Sequence, residues 1–287
     1  KDTVGNSEKC IADWIAKSGR REDVVVATKA GGDSKMIRGG EGYSGDNILR
    51  ILDGNLQRLG TDYIDLYQLH WPMRGSYAFR QNWLYDPSGQ NRAQTLDHMG
   101  EVLEKLKEAQ AAGKIRSFGM SNESAWGATK WIDVAEELGA PRLASVQNEY
   151  SLLYRQYDTD LAEMSVNEDV VCFSYSPLAT GLLTGKYQNG AVPEGSRMTF
   201  GPQLGGRVTK RAFEAVDAYA KVAEKHGLSL AHMAMAFQRS RPFKVSAIFG
   251  ATTSGQLAEL LDGKDIELSD ACLADIDTAH RAFPMPF

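Results

Sequence analysis

Short runs of apolar residues alternate along the chain with longer segments in which apolar positions recur every three or four residues. The short runs predict six strands, at 23–29, 63–70, 115–122, 143–150, 170–178 and 245–250. The longer segments predict helices between them; in 94–113, for example, Met99 and Leu106 fall on one face. Strands that alternate with helices predict parallel strands with crossover helices, buried on both faces.

Two α/β architectures fit this alternation. One is an open, doubly wound sheet, for which six strands suffice. The other is a closed (β/α)8 TIM barrel, which needs eight strands. If the fold is the barrel, we expect its first two βα units to lie upstream of residue 1. Because no linker interrupts the series, residues 1–287 are predicted to form a single domain, which would be an N-terminally incomplete barrel if the second architecture holds. The spacing of the elements leaves both architectures open.

Every predicted strand carries polar groups where it ends. These strand ends are Lys29, His70, Ser121–Asn122, Gln147–Asn148, Tyr175–Ser176, and Gly250 followed by Thr252–Thr253. The carboxyl ends of parallel strands meet at one edge, so the pattern predicts a functional site there.

Two long segments also follow strand ends. The aromatic segment 71–93 could wall a substrate pocket and the segment 182–208 could form a lid, or both could be surface loops.

Composition narrows the classes of partner. The net charge of −5 and the pI near 5.6 argue against nucleic-acid binding. No stretch approaches the roughly 18 consecutive apolar residues of a membrane span, and the first ten residues lack a signal core. Three scattered cysteines suggest neither a disulfide framework nor a metal site. We therefore expect a cytoplasmic protein that binds neither nucleic acid nor membrane, while its oligomeric state stays open.

Several catalytic patterns are missing from the sequence. It contains no G-x-S-x-G nucleophile elbow and no G-x-G-x-x-G after a strand, which disfavours a serine hydrolase and a Rossmann fold. Lys29 and His70 are not accompanied by carboxylates at metal-ligand spacing. From the residues alone, Lys29 could also form a Schiff base with a carbonyl substrate, so a lyase remains an alternative.

Six segments, taken together and in order, resemble the aldo-keto reductases, in the branch of bacterial oxidoreductases related to potassium-channel β subunits. They are VATK, DLYQLHWP, GKIRSFGMSN, SVQNEYSLL, YSPLATGLLTGKY and FGATTSGQL. The resemblance runs from about residue 7 to 282. It implies a (β/α)8 barrel that binds NADPH, with NADH less favoured, and reduces aldehydes or ketones to alcohols. Hydride passes to the carbonyl carbon, and a Tyr hydroxyl gives a proton to the oxygen. The same branch also implies an alternative, a cofactor-binding regulatory subunit.

The resemblance assigns roles to individual positions. Lys29 matches the family's catalytic Lys, His70 its catalytic His, and Trp71 lies in the substrate pocket. Ser121, Asn122 and Gln147 match the groups that hold the nicotinamide carboxamide, and Tyr175 matches the aromatic residue stacked on that ring. The remaining matches to cofactor-binding positions are Ser176, Pro177, Leu178, Gly181 and Lys186 on the pyrophosphate side, Arg197 as a candidate for the 2′-phosphate, and Gly250, Thr252, Gln256 and Glu259 at the adenosine end.

Two departures from the family pattern affect these expectations. The family's catalytic Asp and Tyr precede an SE-containing helix, which here corresponds to Ser7–Glu8. Asp2–Thr3 imitates the pattern only superficially, because no Tyr follows within reach. We therefore expect the proton-donating Tyr upstream of residue 1. Leu260 stands where relatives usually carry an Asn beside the adenine, which affects the adenine contacts rather than cofactor binding as a whole.

Overall fold

Four parallel strands with helices between them form the part of the chain up to Gln147 in the computed structural model, which describes residues 4–287. The elements are α1 (Asn6–Ser18), β1 (Ala27–Ala30), α2 (Ile48–Leu59), β2 (Ile64–Leu69), α3 (Arg92–Ala111), β3 (Ile115–Ser121), α4 (Ala125–Leu138) and β4 (Leu143–Glu149). Each strand pairs in parallel with the next along the chain. Asp2–Thr3, considered above for its likeness to the family's catalytic strand, lies outside the described residues.

Local sequence signals set the ends of these helices. Asn91 and Ser124 accept hydrogen bonds from backbone N–H groups in the first turns of α3 and α4, as N-cap residues do. Gly60 ends α2 with a φ of 61°, a left-handed conformation that glycine adopts without a Cβ clash. The apolar face of α2 is buried, which secures the helix against the strands.

Two parallel strands and six helices form the second compact unit, from Asn148 to Phe287, all of which is described. Its elements are α5 (Asp160–Asn167), β5 (Val171–Tyr175), α6 (Arg197–Phe200), α7 (Lys210–Lys225), α8 (Leu230–Arg239), β6 (Val245–Ile248), α9 (Ser254–Asp262) and α10 (Asp270–Ala282). Tyr175 of β5 is the register partner of Ile248 of β6. Segment 182–208 contains the four-residue helix α6 together with turns.

The strand boundaries differ from the predicted ones for reasons that lie outside each strand. β1 begins at Ala27 rather than at residue 23, since the Val26 N–H bonds the Asp65 carboxylate instead of a strand neighbour. β5 ends at Tyr175 because Ser176 has a φ of 56°, which no strand residue adopts. β6 alternates half-buried and exposed positions, unlike the expected strand buried on both faces. Within the described residues, β6 has a strand neighbour on one side only.

All six predicted strands are present, and helices separate the predicted strands as expected. This alternation confirms the α/β class and is consistent with the (β/α)8 barrel. The expectation of a single domain over residues 1–287 stays a prediction. Among residues 4–287, none of the helices combines the length and apolar character that crossing a membrane requires.

Candidate active site

Lys29 and His70 lie on the same face of two neighbouring strands in the first unit. Lys29 is the register partner of Gln68, and the ladder continues with the His70 N–H donating to the Ala30 carbonyl at 3.0 Å. Side chains alternate along a strand, so His70 points to the same face as Gln68 and Lys29. The structure therefore brings the two predicted catalytic residues together.

Burial sets the charge states of this pair, and the positive charge of Lys29 adds to its effect on His70. Burial lowers the pKa of Lys29 below its ordinary value. Burial, and after it the positive charge of Lys29, lowers the pKa of His70 to about 4. The imidazole is therefore neutral near pH 7 and can donate a hydrogen bond from one ring nitrogen while the other accepts one. Neither side chain makes a hydrogen bond or ion pair with the described part of the chain.

A layer of polar side chains lies level with Lys29 across the four strands. Gln68, Gly119 and Ser145 continue its register on β2, β3 and β4. A Cβ at Gly119 would come within 2.6 Å of the Ser145 Oγ, so the glycine is required by close packing. Gln68 Nε2 and Ser145 Oγ are buried without a hydrogen-bond partner among the described residues. Sequence reasoning missed Gln68, although a glutamine inside an apolar strand is itself a signal.

Ser121, Asn122 and Gln147 meet at the adjoining ends of β3 and β4. The Gln147 carbonyl accepts hydrogen bonds from the Ser121 hydroxyl at 2.7 Å and the Asn122 N–H at 3.0 Å. The Asn122 side-chain amide donates to the His70 carbonyl at 2.9 Å. The Gln147 side chain is half-buried and forms no hydrogen bond with any described residue, so its amide is available to a ligand. The structure thus brings these three residues together and joins one of them, Asn122, to the backbone of His70.

Trp71 is fixed at three points next to His70. Its indole N–H donates to the Asp33 carboxylate at 3.0 Å, and its carbonyl accepts from the Tyr43 hydroxyl at 2.9 Å. Its ring centroid lies 4.6 Å from that of His70. A Cβ on Gly32 would come within 2.1 Å of the indole nitrogen, so only glycine allows this approach. Sequence reasoning missed Asp33, because only the tertiary fold brings it to Trp71.

Beyond Trp71, the chain is tied to the end of β3 by a buried ion pair. Arg74 Nη1 lies 3.1 Å from Glu123 Oε2, and a second, shorter contact joins the same two groups. Glu123 is fully buried and also accepts hydrogen bonds from the Ser124 N–H and the Trp131 indole. Sequence reasoning missed this pair as well. Its only sequence signal is a carboxylate that directly follows the strand-end Asn122.

Segment 71–93 walls a cavity, but its aromatic side chains do not line it, and the expected aromatic substrate pocket stays a prediction. The cavity measures about 420 Å³, within the usual range of ligand pockets. The segment contributes Pro72, Arg74 and Gln90, and the opposite walls come from Tyr43, α3 and α4. His98 of α3 lines it with a buried Nε2 that has no partner among residues 4–287. Burial lowers the pKa of His98, so this imidazole is also neutral near pH 7.

In the second unit, the predicted pyrophosphate-side residues form one tight loop after β5. Ser176, Ala179 and Thr180 have positive φ values, and Gly181 has a φ of 103°. The Leu178 carbonyl accepts hydrogen bonds from the N–H groups of residues 181 and 183. Pro177 is buried, while Tyr175 and Lys186 are half-buried. A Cβ at Gly181 would lie 3.1 Å from the Lys186 Cε, so the loop packs directly on the lysine side chain.

The predicted adenosine-end residues cluster at the start of α9, after β6. The Thr252 N–H and hydroxyl both donate to Gln256 Oε1 at 3.0 Å, and Thr253 caps the helix. Gly250, Gln256 and Glu259 are exposed. Since β5 and β6 are parallel, this cluster and the loop after β5 lie at the same edge of that strand pair. Arg197, the first residue of α6, is exposed and makes no ion pair with the described residues.

Comparisons with known proteins agree with this arrangement. The model of the Aldo/keto reductase family matches residues 3–281. Protein tas of Escherichia coli is 39% identical over 99% of this chain and 82% of its own length. An aldo-keto reductase of Babesia bovis is 34% identical over 82% of this chain and 87% of its own. Aldo-keto reductase YhdN of Bacillus subtilis is 30% identical over 96% of this chain and 75% of its own length. Strand-end chemistry and sequence similarity lead to one conclusion: the chain belongs to the aldo/keto reductase family, whose chemistry is carbonyl reduction and whose fold is the (β/α)8 barrel.

Proposed function

We propose that this protein reduces aldehydes or ketones to alcohols with NADPH, using Lys29 and His70 as catalytic residues. The observation that carries the proposal is the half-buried pair itself, a cation on β1 beside a neutral imidazole at the end of β2. A structural histidine needs no lysine beside it, and a buried lysine without a counter-charge is costly for stability. Such a pair is typical of a catalytic site.

Each residue of the pair has a role that follows from its charge state. The His70 imidazole, neutral near pH 7, orients the carbonyl and donates a hydrogen bond to its oxygen, where negative charge grows. The Lys29 ammonium lowers the pKa of a neighbouring phenol and so tunes a tyrosine as proton donor. We place that tyrosine outside residues 1–287. Tyr43 and Tyr67, the buried tyrosines described in the first unit, donate instead to the Trp71 carbonyl and to Asn55.

The cofactor residues fit a nicotinamide dinucleotide by their chemistry. When bound, the reduced nicotinamide supplies the hydride. Ser121, Asn122 and Gln147 would hold its carboxamide, and the half-buried Gln147 amide offers both a donor and an acceptor for it. Tyr175 would stack on the ring, and the loop 176–181 with Lys186 would bind the pyrophosphate. The start of α9 suits the adenosine end because a helix N-terminus favours negative charge.

NADPH is proposed over NADH because of Arg197. Its guanidinium is exposed and makes no ion pair with the described residues, so it is available to a 2′-phosphate, which arginine binds as a planar fork. The three cysteines are free thiols, which suits a reducing compartment such as the cytoplasm.

The decisive experiment measures cofactor oxidation with a panel of aldehydes and ketones, using NADPH and NADH in parallel. We expect turnover with NADPH and a large loss of turnover in His70→Ala. Tight NADPH binding without turnover on any carbonyl compound would instead support the alternative, a cofactor-binding regulatory subunit. Trapping of a carbonyl compound on Lys29 by borohydride, without consumption of NADPH, would support a Schiff-base lyase.

A further inference from the structure

Asp33 places a negative charge at the mouth of the proposed active site. Its Oδ1 accepts the indole N–H of Trp71 at 3.0 Å, and the Trp71 ring centroid is 4.6 Å from that of His70. Asp33 itself is exposed, so its carboxylate reaches the solvent through which a substrate would arrive. The indole N–H, which could otherwise bind an anionic substrate, is occupied by this carboxylate.

A glycine makes room for this arrangement. Gly32 lets the indole nitrogen approach the backbone, where a Cβ would lie only 2.1 Å away. Gly42 lies within ordinary contact distance of Asp33, since a Cβ at position 42 would be 3.6 Å from the Asp33 Cβ. The packing of Gly32 therefore sets the position of the indole, and the hydrogen bond from the indole holds the Asp33 carboxylate beside it.

No cation in the described chain neutralises Asp33. It takes part in no ion pair with residues 4–287. Arg38 of the same loop lies near Glu41 and donates to the carbonyls of Gly31 and Glu41. Arg74 is paired with Glu123. Lys35 is exposed and likewise makes no ion pair with the described residues, so an uncompensated negative charge remains beside Trp71.

We propose that Asp33 makes this protein prefer uncharged carbonyl compounds over those that carry a carboxylate or phosphate group. The inference rests on the proposed function and concerns the substrate class of the same site. Two unit negative charges about 6 Å apart in a wet cleft repel enough for a discrimination of roughly threefold to tenfold at low salt. Asp33 also orients Trp71 through the hydrogen bond, a contribution that does not depend on its charge.

The test compares a matched substrate pair, 4-formylbenzoate and its methyl ester, which differ by one negative charge. Asp33→Asn retains an oxygen that accepts the indole N–H but removes the charge. We expect the ratio of kcat/KM for the acid to that for the ester to rise about fivefold in this variant. Salt at about 0.5 M should raise the wild-type ratio and leave that of Asp33→Asn unchanged, because it screens charge. An unchanged ratio in Asp33→Asn would overturn the proposal.

Glu41→Gln provides the control, because Glu41 is an exposed carboxylate of the same loop that pairs with Arg50. It should leave the ratio as in the wild type, and an equal rise in Glu41→Gln would also overturn the proposal.

A binding experiment separates this inference from the proposed function. If neither aldehyde is reduced, the proposed function fails. Calorimetry can then still compare the affinities of the wild type for benzamide, which is neutral, and benzoate, which is anionic. The wild type should bind benzamide more tightly than benzoate, and Asp33→Asn should reduce this difference in affinity. If the wild type binds the two ligands equally, or binds neither of them, the inference is rejected.

Discussion

The Glu123 carboxylate is fully buried against the guanidinium of Arg74, whose side chain is only 9% exposed. This pair fixes the chain just beyond Trp71 to the residue that follows Asn122, so it connects the proposed substrate mouth to the proposed cofactor site. Buried ion pairs depend strongly on both members, because each charge left alone has lost its water without gaining a partner.

Glu123→Gln should therefore lower the free energy of unfolding by about 3 kcal/mol, since Arg74 would keep a buried charge without a counter-ion. Urea denaturation measures this change. The double variant Glu123→Gln, Arg74→Met removes both charges and should recover part of the loss. If the double variant is no more stable than the single one, the ion pair is not the source of the effect.

His70 should make folding stability fall with acid. Its folded pKa of about 4 lies below the ordinary value of 6.5, so the unfolded chain binds more protons between these pH values. Its contribution, about 3 kcal/mol at most, is complete above pH 6.5 and is lost as the pH falls towards 4. Denaturation across this range should show a smaller loss in His70→Asn.

The imidazole NMR signals provide a direct check on the same residue. We expect the His70 ring to remain neutral at pH 5.5, and Lys29→Met to raise its pKa because a repelling positive charge has been removed. A His70 signal that titrates near 6.5 in the wild type would contradict the structure.

His70→Ala should lower kcat by about a hundredfold or more while leaving the Kd for NADPH nearly unchanged. The reason is that the imidazole is assigned to the reacting carbonyl rather than to the cofactor. Steady-state kinetics and fluorescence titration of NADPH measure the two quantities. Unaltered turnover would remove His70 from the mechanism.

Tyr175→Ala should show the reverse pattern, with NADPH binding weakened by about threefold to tenfold through the loss of stacking. Tyr175→Phe retains the ring and serves as the control, so it should bind NADPH like the wild type. Equal weakening in both variants would assign the effect to the hydroxyl group instead of the stacked ring.

Gly119→Ala tests the polar layer beneath the site. The added Cβ would lie 2.6 Å from Ser145 Oγ, and such overpacking should destabilise the protein by about 1–3 kcal/mol. Ser145→Ala in the same chain removes the closest contact and should restore part of the stability. Thermal unfolding of the two single variants and the double variant gives this coupling directly.

The sequence predicts those parts of the fold and site that depend on local pattern. Apolar runs predicted all six strands, and the polar strand ends correctly pointed to Lys29 and His70 as neighbours. Features that arise from contacts distant in sequence were missed. The start of β1 depends on the Asp65 carboxylate, and Asp33 reaches Trp71 across 38 positions. No local pattern encodes which side chain a loop will meet.

The hydrogen bond from Asn122 to the backbone of His70 has a consequence for redesign. The same amide is assigned to the cofactor and holds the strand that carries the imidazole. A substitution at position 122 that alters the binding of the carboxamide would also shift the imidazole, so turnover and cofactor affinity would change together. Directed evolution of cofactor use should consequently target the adenosine end, where the side chains are exposed and do not also hold the strand that carries His70.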